Sequence, residues 1–465
     1  MNKRLMKQLT AILLSLMLII SCIPLAFAAK PIDVPDQTGD DVVIIENPVD
    51  AVNSQLKEMA GGQDTKVYLA KNAETFLKAA EKMLEQSKTF LLPDEKGGAD
   101  VDLNDLYQTG RIMVHPGATL GKGFLEAAVD VIYFNGWYFL QYGTEEATKV
   151  AYKALQQAYG SANVILDTVF KVQLPKAVEV KKLKDTNGYL SWGIQNMGMD
   201  KVQQKLNKRK NKPEVKVAIL DTGISLIETA FSGRIVNPAD FIAFTPFPHD
   251  FNGHGTHCAS TIVDATPSNV KVMPVKTISA IGLGTIFNNL LGLVYADLMG
   301  ADIINMSLAG LDEFELKPYD FLLKSMVDKG TTIVVAAGNE GTNVKTSYPS
   351  SSEYVITVGA INKKNRVDKE YSNFGPQVDF VAPGTSVKGY ATDLGIPCMA
   401  IMTGTSMATP HVTAACALIK TVHPNYNQKQ IYNVLKANSV DIEAKGRDKY
   451  AGWGRIDLTN FANNL

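Results

Sequence analysis

The stretch "VKVAIL" at 215–220, followed at once by "DTG" at 221–223, decides how the chain is read. It is short, apolar and β-branched, and it stops at a turn former, which predicts a buried strand. Runs of the same kind recur downstream: "VKVMPVK" (270–276), "ADIINMSL" (301–308), "TTIVVAAG" (331–338) and "EYVITVGAI" (353–361). Helical stretches lie between them, such as "TIFNNLLGLVYADLMG" (285–300) and "FELKPYDFLLKSMVDKG" (314–330). Strand and helix in alternation predict parallel pairing, right-handed crossovers and helices on both faces. An α/β domain is therefore expected over residues 186–465. In such sheets function collects at the carboxyl ends of the strands, so polar residues there are read first.

Four residues stand at element termini of this domain. Asp221 closes the first strand and, alone, reads equally as a turn former. His254 sits in "NGHGTHCAS" (252–260), where flanking glycines permit close backbone approach. His257 lies three residues on and invites a metal reading, but the pattern is not H-E-x-x-H and no third ligand is evident. Asn339 follows "IVVAAG"; it is either a turn residue or a neutral donor for a developing oxyanion. Ser406 lies in "GTSMATPHV" (404–412), which reads as a helix start containing a proline. Together they supply what acyl transfer needs: a hydroxyl nucleophile, an imidazole base and a carboxylate that orients the imidazole. The order Asp, His, Ser is one of the known triad orders.

On these motifs the chain resembles the subtilisin-like serine proteases, the subtilases. "AILDTG", "GHGTHCAS" and "GTSMATPHV" carry the resemblance, "AAGNEG" (336–341) supports it, and it covers roughly residues 186–465. It implies a three-layer parallel-sheet catalytic domain. It implies Ser406 as nucleophile, His254 as general base then acid, Asp221 as orienting acid and Asn339 as oxyanion donor. His257 and His411 become structural members of their motifs. "NMSLAG" (305–310) resembles the family's edge segment beside the specificity pocket, and "GLG" (282–284) the opposite edge. Substrate would then lie as a strand between them, against Ser307, Leu308, Ala309 and Gly310 on one side and Gly282 and Gly284 on the other. Ala309 replaces a glycine common in relatives. Cys258, four residues after His254, shares its helical face. Some subtilases carry a cysteine there, which implies inhibition by bulky mercurials. No metal ligand set and no required cofactor are implied. A structural calcium site is left open but not predicted, because the stretch from His254 to Lys276 is short and lacks an Asp/Asn-rich loop.

Residues 1–29 read as a signal peptide: Lys3, Arg4 and Lys7, then an apolar run from Ala11 to Ile20, then "AFAA" at 26–29. The product is expected to be secreted and extracellular. "IISC" (19–22) offers an alternative, a lipid anchor through Cys22. By position and size, residues 30–185, with an ordered α+β unit at about 64–175, fit the propeptide of a secreted zymogen, and the resemblance to subtilases implies that this unit acts on its own enzyme as folding template and inhibitor. Its removal is expected between about 173 and 190. His115, within that unit, lacks any partner motif and is assigned no catalytic role.

The chain has 465 residues, is 46% hydrophobic and carries a net charge of −1, so bulk charge suggests no nucleic-acid partner. The basic run "KLNKRKNK" (205–212) reads as a solvated linker. Three cysteines remain after the signal, which excludes complete internal pairing. A monomeric endopeptidase acting on protein or peptide substrates is the expectation. The alternatives are a narrow-specificity processing protease for one partner protein or leader peptide, and a binding module that retains the fold without catalysis.

Overall fold

The run at 215–220 forms the strand Val215–Asp221. Val217 and Ile219 enter one core cluster; Ala218 and Leu220 enter another. The two-residue period of a strand thus places apolar side chains on both faces, as a central parallel strand requires. We describe a computed structural model over residues 66–70, 72–86, 108–115, 120, 122–134, 136–172, 178–179, 188–309, 311–312 and 319–465. The signal segment with Cys22, Gly310 and most of the expected cleavage window lie outside the described residues.

The central sheet has nine strands, in the order 439–440, 455–456, 378–383, 356–361, 332–336, 303–306, 215–221, 270–276, 239–240. The pairings are parallel except at the edge, between 439–440 and 455–456. Helices His254–Ala265 and Thr405–Val422 pack on one face. Helices Ile286–Leu298 and Asp320–Asp328 pack on the other. Helix Thr405–Val422 is buried without a break from Thr405 to Thr421, so it runs through the core and has no solvated face. The helix expected over 314–330 is shorter, Asp320–Asp328, and 313–318 are outside the described residues. The strand Val378–Pro383 and the hairpin Val387–Asp393/Ile396–Met402 were not among the expected strands.

The N-terminal unit is a five-stranded sheet, ordered 66–70, 130–134, 137–141, 111–114, 164–166, with helices Ala73–Gln86 and Glu145–Tyr159. The run at 131–142 is a hairpin turning at Gly136, whose φ of +86° suits glycine. The run at 163–172 is likewise two strands. Val164–Leu166 stays in the small sheet, while Val169–Lys171 pairs antiparallel with Leu283–Thr285 of the large domain.

Aromatic side chains join the two units. Trp137 stacks on Phe321 with centroids 4.8 Å apart, and Phe139 meets Phe287 at 5.7 Å. Between the two short strands sits Asp167, fully buried. One oxygen takes Arg111 Nε at 2.7 Å; the other takes the Phe287 N–H at 2.8 Å, in the first turn of helix Ile286–Leu298. A carboxylate there meets both an orphan donor and the positive end of the helix dipole. Among the described residues no helix is long and apolar enough to cross a membrane.

Candidate active site

The local structure around His254 is built by donors and acceptors from outside its helix. The N-cap is Gly253, which has φ +101° and no side chain to cap with. Asp250 takes that duty. Its Oδ1 accepts from the N–H groups of Asn252 and Gly253 and from Thr222 Oγ1; its Oδ2 accepts from the N–H and hydroxyl of Thr256. Thr222 Oγ1 in turn accepts the Gly255 N–H at 3.0 Å. The first-turn donors of a buried helix are thereby satisfied. A side chain at Gly253 would collide with the Thr392 carbonyl, so the hairpin presses on this turn. Asp250 and Thr222 were missed by the sequence reading. An Asx residue three positions before a glycine N-cap was the available signal.

The strand Val215–Asp221 delivers Asp221 to this helix start. Asp221 Oδ1 lies 2.7 Å from His254 Nδ1 and also accepts the Thr222 N–H at 2.7 Å. An oxygen that accepts an N–H on each side must face donors, so His254 carries its proton on Nδ1 and leaves Nε2 as the base. Nε2 is buried and has no hydrogen-bond partner among the described residues. Burial disfavours the charged imidazole. The charge and hydrogen bond of Asp221, with the charge of Asp250, outweigh it and raise the pKa above the usual 6.5. The expected pH dependence follows with a definite sign. Activity falls on acidification as the base is protonated, with a kcat/KM midpoint above 6.5, measurable with a short chromogenic peptide.

Pro410 explains the geometry at Ser406. A proline six residues into a helix removes the N–H that would bond to the carbonyl four residues back. That carbonyl belongs to Ser406. It accepts instead from Ser307 Oγ at 3.0 Å and Cys258 Sγ at 3.5 Å. Ser307 Oγ is itself held by Asn305 Nδ2, and Asn305 by Thr413 Oγ1. The Ser406 hydroxyl donates to the Ser307 carbonyl at 3.0 Å. Cys258 Sγ clusters with ligand atoms of Asp221 and His254 within 4.8 Å of one another, so Ser406, Cys258, His254 and Asp221 form one contiguous group. A turn of the serine side chain toward the free Nε2 is what catalysis needs; such bonds often tighten only with substrate bound.

Asn339 stands three residues past the strand Thr332–Ala336. Its Oδ1 accepts the Thr405 N–H at 2.7 Å and the Thr405 hydroxyl at 3.0 Å. Since a backbone N–H can meet only the oxygen, the NH2 end is the one left for a ligand, beside the N-terminus of the serine helix. The thiol of Cys258 is pushed well above its usual range by burial, so it stays protonated and is a poor nucleophile. Cys258 and Cys416 are free thiols. His257 and His411 are buried and hold structure. His257 Nε2 meets the Val387 carbonyl at 3.2 Å; His411 bridges the Met407 carbonyl at 2.8 Å and Ser191 Oγ at 2.6 Å. Burial lowers them to about 3 and about 4, so both are neutral. His115 packs on Trp137 in the N-terminal unit, with ring centroids 5.2 Å apart.

The two segments expected as substrate edges lie within the described residues except for Gly310. Gly282–Thr285 carries the pairing with residues 169–172, including Val172 N–H to the Gly282 carbonyl at 2.8 Å. A Cβ at Gly284 would come within 2.7 Å of the Phe170 ring, so this close approach needs glycine. Ser307, whose carbonyl accepts the Ser406 hydroxyl, and Leu308 are buried, and Ala309 is half-buried.

An aspartate–histidine pair, an adjacent serine at a helix start and a nearby amide define a serine hydrolase. The subtilase family model matches residues 212–454, and the chain belongs to that family. It is 35% identical over 283 residues to subtilisin DY of Bacillus licheniformis, which covers 57% of this chain and 96% of that protein. It is 30% identical over 339 residues to the cell wall-associated protease of Bacillus subtilis (strain 168), covering 68% of this chain and 37% of that one. A crystal structure of a lanthipeptide protease matches 60% of this chain and 99% of its own, with a TM-score of 0.52 and 21% identity, and shares the fold. The protein is a subtilisin-type serine endopeptidase acting on protein substrates.

Proposed function

We propose that this endopeptidase is made as a secreted, self-cutting precursor whose N-terminal unit is its own inhibitor. One observation carries the reading: residues 169–172 lie as an antiparallel strand on the Gly282–Thr285 edge, in the manner of a bound polypeptide. Residues 178–179 pair with a second edge, at Ala400–Ile401. The chain is held on both flanks of Ser406, so the bond to be broken lies between residues 172 and 178. Secretion rests on the apolar N-terminal segment with its small-residue cleavage site. A peptide library then separates broad digestion from trimming of one partner.

In this reading His254 Nε2 takes the Ser406 proton as Oγ attacks the scissile carbonyl, and later returns it to the leaving amine. Asp221 keeps the proton on Nδ1 and stabilises the imidazolium. Asn339 Nδ2 and the Ser406 N–H, an orphan donor of the first turn, receive the oxyanion. Asn339→Ala should lower kcat by about 10²–10³ with little change in KM, because the donor acts on charge present only in the transition state. Steady-state kinetics on one peptide checks this. Loss in KM alone would remove Asn339 from the role.

The inhibitor role makes a separate prediction at Asp167. Asp167→Ala strands the buried Arg111 guanidinium and removes the side-chain acceptor of the Phe287 N–H in the first turn of helix Ile286–Leu298. Breaking such a pair costs about 3–5 kcal/mol. Chemical denaturation of the uncut Ser406→Ala precursor, with and without Asp167→Ala, measures it.

A further inference from the structure

Asn339 sits in the loop 337–342, which leaves the strand Thr332–Ala336. Among the described residues the Asn339 main chain makes no hydrogen bond of its own, so its place is set by its neighbours. Those neighbours converge on one side chain, Asn373, which is 1% exposed. Its Oδ1 accepts the N–H groups of Glu340 at 3.1 Å and Thr342 at 2.9 Å, and the Thr342 hydroxyl at 3.4 Å. Its Nδ2 donates to the Ala337 carbonyl at 3.0 Å and to Glu340 Oε2 at 2.7 Å. Backbone N–H groups can meet only the oxygen, so the orientation of this amide is fixed. An amide has two hydrogens to give and two lone pairs to fill, and here all of them serve residues 337–342. The Asn373 N–H adds a bond to the Gly338 carbonyl at 3.1 Å. The segment around Asn373 is tied to the same loop. The Gly341 N–H donates to the Tyr371 carbonyl at 2.8 Å, and the Phe374 N–H to the Thr342 carbonyl at 2.9 Å. The fit is close: Gly338 has φ +104°, and a Cβ there would collide with Asn373 Nδ2 and Glu340 Oε2. Thr405 supplies the remaining hold, taking the Gly338 N–H on its Oγ1 at 3.2 Å and meeting Asn339 Oδ1.

We propose that Asn373 is a positioning residue for the reaction: it aims Asn339 Nδ2 at the oxyanion by fixing the loop on both sides of Asn339. This role rests on the reading of Asn339 as oxyanion donor and adds what holds that donor in place. Asn373 performs no step itself and acts only through Asn339. The physical need is plain. A preorganised donor stabilises the transition state because it costs no rearrangement at the moment of reaction. A misplacement of about 1 Å can cost about 10²-fold in rate. A loop whose central residue has no main-chain bond of its own keeps that precision only if its flanks are clamped. Asn373 clamps residues 337 and 338 before Asn339 and residues 340 and 342 after it. The same amide fixes the carboxylate of Glu340, the residue next to Asn339, in one place.

Steady-state kinetics on one chromogenic peptide tests this, with rates expressed per serine labelled to completion by a fluorophosphonate, which counts competent enzyme in each sample. Asn373→Ala should lower kcat about tenfold or more and leave KM within about twofold, because the misplaced donor acts on charge present only in the transition state. In a chain that already carries Asn339→Ala, the same change should lower kcat by less than about twofold further, since the donor it aims is gone. A residue that merely supports the fold would cost the same factor in both backgrounds. Asn373→Ser, made in the same two backgrounds, guards against misfolding. Its hydroxyl serves part of the buried loop but is too short to bridge residues 337 and 342, so it should show the same coupling to Asn339. Equal factors in the two backgrounds, a loss in KM alone, or parental kcat in both Asn373 variants overturns the proposal. If Asn339→Ala alone leaves kcat unchanged, the oxyanion reading itself has failed and the role of Asn373 falls with it. If that change slows the enzyme and the Asn373 changes do not, the role of Asn373 alone has failed.

Discussion

Replacing Ser406 by alanine should leave the precursor uncut between residues 172 and 178 and lower kcat by roughly 10⁶-fold, the scale on which subtilisin triads fail when the nucleophile is lost. The large number has a structural basis. His254 Nε2 is buried and, among the described residues, has no hydrogen-bond partner, so no hydroxyl stands in for that of Ser406. The thiol nearest the pair, Cys258, is held protonated by burial and spends its weak donor on the Ser406 carbonyl. Among the described residues no second nucleophile stands ready, so the loss should not be rescued. The fold should survive, because the Ser406 hydroxyl contributes a single hydrogen bond, to the Ser307 carbonyl. Intact-mass analysis of the purified chain and a chromogenic peptide assay give the two readouts. Cutting at the parental rate in the Ser406→Ala chain, with no other protease present, would overturn the assignment.

Asp221→Asn should lower kcat by about 10⁴-fold and move the acid limb of the pH profile to lower pH. Both effects come from one carboxylate. In the parent its charge raises the imidazole pKa against burial; without the charge, burial prevails and the pKa falls. A weaker base then stays neutral to lower pH, yet the imidazolium formed in the transition state loses its counter-charge. The Asp221 oxygen that faces His254 also accepts the Thr222 N–H, so an asparagine oxygen can keep that place. Its NH2 then falls where Oδ2 lies, buried and without a partner, which adds a local cost of about 1–3 kcal/mol. A pH–rate profile from acid to neutral distinguishes these statements. An unchanged acid midpoint would mean that Asp221 does not set the basicity of His254.

Much of this was legible before the tertiary structure, and the residues say why. "VKVAIL", "VKVMPVK" and "TTIVVAAG" are local apolar runs long enough to declare strands. The acid, the imidazole, the amide and the hydroxyl each sit in a short motif at an element boundary. The hairpin Val387–Met402 was not legible. Its inner and outer faces are mixed, with Lys388, Tyr390 and Ile396 through Met399 only half-buried, so it carries no clean apolar run. The break at Asp167 was hidden for another reason. A single acid between two short strands says nothing locally about which sheet each one joins.

The sequence by itself determined the class of domain and the order of the motifs that hold the candidate reacting groups, because strand periodicity and helix starts are local properties of the chain. Only the tertiary structure decided that Asp250 and Thr222 cap the histidine helix from outside. It alone decided that Pro410 frees the Ser406 carbonyl for Ser307 and Cys258, and that residues 169–172 and 178–179 lie on two separate edges. Those contacts join residues far apart in the chain, and a hydrogen bond between distant segments exists only once folding has closed the loop between them.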